Sequence, residues 1–271
     1  MSANLITRII VAVIFGPLII AIGYLGGGWL MGLVLLLSTI GIIEFLINSR
    51  FKPSSALFWV ALVPTAGMVT ASMLISVTAS LTLFVIFFLT AGMISAAESD
   101  RPLNLFTRLT TLTWGVAYIG FLYPFVYHLH YIMPPKGGDW LLFLFGTIWL
   151  SDTVAMWVGK SMGHRKLAPH ISPGKTVEGF LGGLFGGLIV GVILGFWRLS
   201  DIIMVLLLFT GVIISFVGQL GDLVESIWKR SLGIKDSSGI IPGHGGILDR
   251  FDSLLFAAPA LYLILKYLIY G

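Results

Sequence analysis

Nine stretches of about twenty mostly apolar residues run through this chain, and that pattern leaves it one solvent, the lipid bilayer. The stretches cover approximately 8–24, 28–47, 56–73, 76–97, 109–131, 140–159, 179–197, 202–225 and 251–270. In hydrocarbon every backbone N–H and C=O must be satisfied within the chain, and for runs of this length the helix does so. Charged residues make up only 10% of the sequence, against about 25% in water-soluble domains. The expected fold is therefore all-α, a polytopic integral membrane protein of about nine transmembrane helices. The opening MSANLITR runs into the first stretch with no small-residue cleavage site before a polar start. It reads as the first membrane helix rather than a signal peptide. The sequence contains no cysteine, which excludes disulfides.

With nine spans, alternate loops fall on opposite faces, and the basic residues divide unevenly between them. One face carries Arg8, Arg50, Lys52, Arg101, Arg108, Lys160, Arg165, Lys166, Lys175, Lys229, Arg230, Lys235 and Arg250; the other carries Lys136, Arg198 and Lys266. This split of 13 against 3 places the N-terminus and the rich loops in the cytoplasm and the C-terminus outside. The expected location is the inner (cytoplasmic) membrane. The asymmetry also accounts for the net charge of +4, so no nucleic-acid partner is expected. Residues 1–135 carry few polar groups and read as a membrane-packing half. Residues 136–271 hold both long polar loops and read as the chemical half of one continuous membrane domain. The glycines of the seventh span, at small-residue spacing, predict close helix packing. Trp29, Trp140 and Trp197 are expected at the membrane interfaces. His128 and His130 read as packed or interfacial residues rather than ligands, and Glu44 as the structural partner of a basic residue.

Two polar loops interrupt the oil. Asp152 lies eight residues before Lys160, so its carboxylate is expected on the order of 12 Å below the surface. An ionisable group at such a depth costs roughly 2.5–3.5 kcal/mol and must face a cavity, a cation or a hydrogen-bonding partner. After it, Ser172-Pro173-Gly174-Lys175-Thr176 combines flexible backbone, hydroxyls and an ammonium, the ingredients of an anion loop. It is not a Walker A loop, because Pro169 stands where that motif needs glycine. On the eighth span Asp222, Glu225, Ser226 and Lys229 share one helical face. Asp222 is expected at roughly 10 Å depth, matching Asp152. Oxygen ligands without cysteine or clustered histidine favour a hard cation such as Mg²⁺. In Pro242-Gly243-His244-Gly245-Gly246 the glycines allow backbone N–H groups to approach a phosphate. Asp249 and Asp252 at the start of the ninth span read equally as a helix cap with a first-turn partner or as metal ligands. Carboxylates at depth beneath a basic, glycine-rich rim suit phosphoryl or nucleotidyl transfer on a lipid phosphate.

The second loop resembles the signature of the phosphatidate cytidylyltransferase (CDP-diacylglycerol synthase) family. The matching residues are Ser226, Lys229-Arg230, Lys235-Asp236, Pro242, His244-Gly245-Gly246, Asp249-Arg250 and Asp252. Asp152-Thr153 and Ser172–Gly179 are similar to the family's other polar loop. Two departures stand out: Trp228 replaces an aliphatic residue, and Gly174 stands where a second lysine is common, so that contact is absent or falls to Lys166. The resemblance implies that CTP and phosphatidic acid give CDP-diacylglycerol and pyrophosphate with Mg²⁺, in a homodimer. Under it Asp222 and Asp249, then Asp152 and Asp252, are the metal ligands. Lys175, Lys229, Arg230 and Arg250 hold phosphates, with Lys166, Lys235, Ser172, Thr176, Ser226 and the Gly245-Gly246 backbone contributing to substrate binding. His244 hydrogen-bonds phosphate or protonates the leaving group. A transporter would predict carboxylates at the midplane and repeated halves, neither of which the sequence carries. A basic lipid anchor would not require buried aspartates.

Overall fold

The computed structural model describes residues 3–98, 100–241 and 245–270. Its elements run α1 (Ala3–Leu25), α2 (Gly27–Asn48), α3 (Ala56–Leu74), α4 (Val77–Ala97), α5 (Pro102–Leu122), α6 (Pro124–Tyr131) and α7 (Gly137–Met162). Then come β1 (Lys166–Ala168), β2 (Ser172–Thr176), α8 (Val177–Trp197), α9 (Met204–Ser231) and α10 (Leu248–Ile264), which ends in a π turn over Leu265–Ile269. Among the described residues eight spans are long and apolar enough to cross a membrane, with α5 and α6 counted as one. Helix α1 adds a ninth apolar helix. Side chains such as Ile75, Met93, Phe196 and Val205 stand fully outward, as expected where lipid replaces water as the surrounding medium.

The expected fifth span, 109–131, begins earlier and is divided. Pro124 has no N–H to continue the ladder, so the chain turns at Tyr123 and restarts as α6. The close boundary between α3 and α4 is set by Ser76, whose hydroxyl accepts from Ala79 N at 3.1 Å and caps α4.

The glycines of α8 bring three helices together. A Cβ on Gly186 would stand 3.0 Å from the Leu150 carbonyl oxygen of α7, and one on Gly191 2.9 Å from that of Leu207 in α9. Gly187 faces Gly211 directly, backbone to backbone. This packing holds α7, α8 and α9, which carry most of the polar residues of the site, at the shortest separation helices allow.

Each end of the bundle is fastened by its own polar contacts. At one end Tyr24 donates to Asp139 at 2.7 Å, Arg198 donates to Asp139 at 2.8 Å, and Trp140 Nε1 donates to Tyr270 at 2.9 Å. Lys136 pairs there with Asp201, and that hydrogen bond holds the Asp201 carboxyl below its ordinary range. At the other end Asn48 donates to the Ser237 carbonyl, and Arg230 donates to the Ile171 carbonyl at 3.1 Å. Trp29 and Trp197 are exposed as an interfacial belt requires. Trp140 departs from that expectation: it is fully buried, because its indole N–H is tied to Tyr270 inside the bundle. His128 is packed, with its Nε2 3.0 Å from the Ser72 hydroxyl.

Candidate active site

The two polar loops meet at one end of the bundle. The first is not an open loop. Antiparallel β1 and β2 pair Lys166 with Thr176 and Ala168 with Ser172, making a hairpin between α7 and α8. Thr176 then caps α8 by accepting from Gly179 N at 3.1 Å. Glu178 accepts from His164 N and Arg165 N and ties the hairpin's approach to the helix start. Lys175 is thereby aimed at α9, where its Nζ lies 2.6 Å from Asp222 Oδ2. The pair is a charge contact outside hydrogen-bond alignment, and both side chains remain partly open.

Around this pair lies a cavity of about 330 Å³, within the usual ligand-pocket range. Asp152, Ser172, Lys175, Thr176 and Asp222 line its polar side; Met156, Leu167 and Phe180 line an apolar side. Asp152 is exposed at its depth because it faces this cavity. It is within electrostatic reach of Asp252, Asp222, Lys175 and Arg250. Gln219, one turn deeper than Asp222, also faces the cavity and donates its amide to the Phe180 carbonyl at 3.3 Å.

Behind the cavity the signature residues have other work. Asp249 is neither an N-cap nor an open ligand. It lies inside the first turn of α10, and its carboxylate is filled by Lys229 Nζ at 2.7 Å, Ser237 N at 2.7 Å, Ser237 Oγ at 2.9 Å and Gly246 N at 2.8 Å. In the structure Asp249 is an acceptor for the loop, Lys229 is its buried counter-ion, and the Gly246 N–H is engaged within the protein. Lys229 also stands 3.4 Å from Glu225.

Glu44 corrects another expectation. Among the described residues it has no basic partner. It crosses from α2 to accept Ile247 N and Leu248 N, both at 3.0 Å, together with the hydroxyls of Ser237 and Ser238. These are the unsatisfied donors of the α10 N-terminus, so Glu44 caps that helix from another part of the chain. Gly245 lies at φ 85°, the left-handed region that favours glycine, and this turn directs the Gly246 N–H at Asp249. At Gly246 a side chain would collide with Ser237 and Glu44.

Ser226 donates to Asp222 Oδ1 at 3.3 Å. Arg230 pins the two loops together through the Ile171 and Ile234 carbonyls, both at 3.1 Å. Lys166, Lys235 and Arg250 are exposed at the rim. His244, with Pro242 and Gly243, lies outside the described residues.

Two groups, Gln219 and Glu225, carry no role from the sequence, and Glu44 carries a different one from that expected; an ionisable group such as Glu44 in an apolar helix is by itself a signal. Glu225 was placed on the right face but given no role. It is completely buried, its carboxyl lies beside that of Asp252, and among the described residues neither of its oxygens meets an aligned hydrogen-bond donor. Two carboxyls in contact need a proton or a cation between them.

Comparison with known proteins agrees with this geometry. Residues 6–268 match the family described as Cytidylyltransferase family. A phosphatidate cytidylyltransferase of Staphylococcus haemolyticus is 36% identical over 98% of this chain and 99% of its own length. One of Staphylococcus epidermidis is 33% identical over the same shares. One of Staphylococcus saprophyticus is 46% identical over 151 residues, 56% of each chain, so that alignment spans about half the length of the relative. The chain, an all-α polytopic membrane protein, belongs to the cytidylyltransferase family.

Proposed function

We propose that this protein is a phosphatidate cytidylyltransferase, making CDP-diacylglycerol and pyrophosphate from CTP and phosphatidic acid. The observation that carries the reading is the cavity between the hairpin and α9. It sets Lys175 against Asp222 and Asp152 at the basic end of the bundle, with an apolar wall beside them. An oxygen of the lipid phosphate attacks the α-phosphorus of CTP, the bond from that phosphorus to the bridging oxygen breaks, and pyrophosphate leaves. A phosphate monoester is already nucleophilic, so no dedicated general base is needed.

Lys175 offers a point charge to the phosphates, and the rim residues Lys166, Lys235 and Arg250 gather the anionic substrates. Ser172 adds a hydroxyl donor on the cavity wall. Met156, Leu167 and Phe180 accept the start of the acyl chains, which stay in the bilayer. His244 is assigned to the phosphates by the motif alone.

Among the described residues, no three acidic or histidine side chains form a closed metal cage. The donor chemistry nonetheless fits a hard divalent cation such as Mg²⁺: the acidic groups offer only oxygen, and among the described residues the Glu225 oxygens beside Asp252 have no aligned hydrogen-bond donor. Asp152, Asp222, Asp252 and Glu225 would hold it, with Asp249 orienting the loop above. Such an ion would supply charge neutralisation to the phosphate oxygens.

The basic asymmetry supports a site facing the cytoplasm from the inner membrane. The proposed chemical groups lie after residue 136, and Glu44 reaches them from the first half. The homodimer rests on the family resemblance.

The test is direct. Purified protein in nanodiscs, given labelled CTP, phosphatidic acid and Mg²⁺, is expected to yield a labelled CDP-lipid. No labelled lipid from folded protein overturns the proposal.

A further inference from the structure

We infer that Tyr118 and Tyr123, in the packing half of the chain, are positioning residues for the acidic cluster. Their hydroxyls donate toward the Glu225 carboxylate, through a bridging water where the gap exceeds one hydrogen bond. This rests on the functional reading above and adds two residues that the signature does not contain.

The observations are independent of the motif. Tyr118 is 6% exposed and Tyr123 1%, yet among the described residues neither hydroxyl has a hydrogen-bond partner. Buried polar groups are nearly always satisfied, so two orphaned hydroxyls in one region call for an explanation. The region is that of Glu225 and Asp252: both hydroxyls lie within electrostatic reach of the two carboxyls. Glu225 has the complementary deficit: among the described residues neither of its buried oxygens has an aligned donor, the Lys229 ammonium standing 3.4 Å off. Donors and acceptors left over on opposite walls of one interior suit bridging waters, which typically make about three hydrogen bonds to such groups.

Aromatic packing holds Tyr118 in place. Trp228 on α9 stacks on Phe45 of α2 at 4.9 Å, Phe45 contacts Trp114 at 5.6 Å, and Trp114 stacks on Tyr118 at 4.7 Å. Tyr118 then meets Phe256, one turn beyond Asp252, at 6.0 Å. The ladder runs from the turn after Glu225 to the turn after Asp252 and closes the cluster from behind. Trp228, the signature's departure, is its first rung.

The test uses the full chain in nanodiscs with Mn²⁺ as the probe, its binding read by electron paramagnetic resonance without substrate. Tyr118→Phe and Tyr123→Phe keep the ring packing and remove only the hydroxyl. Each is expected to weaken Mn²⁺ binding by about 10–100-fold, as loss of a group supporting a ligand does. Turnover should fall with it, while the KM for CTP and the melting temperature stay near wild type. Wild-type Mn²⁺ affinity in both variants overturns the inference, and a lowered melting temperature alone would assign the hydroxyls a structural role. If wild-type protein binds no Mn²⁺, the metal reading falls and takes this inference with it. If it binds Mn²⁺ but makes no CDP-lipid, the reaction is wrong, while the binding comparison still decides the tyrosines.

Discussion

Asp222 and Asp249 carry the same carboxylate in the same signature, but their neighbours separate them. Asp222 opens on the cavity with Lys175 as its only basic contact at ion-pair distance among the described residues. Asp249 receives four hydrogen bonds and is enclosed. Asp222→Asn is therefore expected to cut turnover by about 100-fold or more, the scale of losing an electrostatic contact to the transition state. Its melting temperature should stay close to wild type. Asp249→Ala should instead destabilise the fold by about 3–5 kcal/mol, because it strands the buried Lys229 ammonium. Thermal unfolding in detergent, run beside the assay, separates the two outcomes; equal melting temperatures would refute the distinction. Spacing alone leaves this open, since it locates a carboxylate on a helix face but not the loop that folds back onto it. Ser237, which links Asp249 to Glu44, sits in a run with no periodic pattern.

At the scale of elements, the α7–α8–α9 packing was readable because small residues at helical spacing have one common use in lipid. The β1–β2 hairpin was not. β1 is three residues long, and neither strand alternates in polarity strongly enough to mark a sheet. Its conformation depends on being held between α7 and α8, with Thr176 and Glu178 ordering the junction. The close contact of Gly187 with Gly211 makes a strong demand. Gly187→Leu should push α8 from α9, cost at least about 1–3 kcal/mol by overpacking, and lower turnover by displacing Lys175 from Asp222. A melting temperature equal to wild type would contradict the packing argument. The split of the fifth span at Pro124 follows from a missing N–H, yet its consequence, Tyr123 turned inward, is visible only with neighbouring helices present.

At the scale of the whole molecule the expected orientation has a simple test. The chain lacks cysteine, so single substitutions give clean labelling sites. In intact cells His170→Cys, in the hairpin, should resist a membrane-impermeant thiol reagent, and Ser200→Cys, between α8 and α9, should react. The reverse pattern would invert the topology. The apolar periodicity sufficed for the all-α fold and the helix count, because hydrocarbon forces each span to satisfy its own backbone. It also sufficed for the two loops as partners, since carboxylates at matching depth need a common polar interior. The assignment of each side chain waited on the folded molecule. Whether a buried carboxylate is filled by N–H groups, as Asp249 and Glu44 are, or left open, as Asp222 and Glu225 are, depends on which loop folds over it and at what angle. That is set by contacts between residues as far as 204 positions apart, such as Glu44 with Leu248, and no local pattern records them.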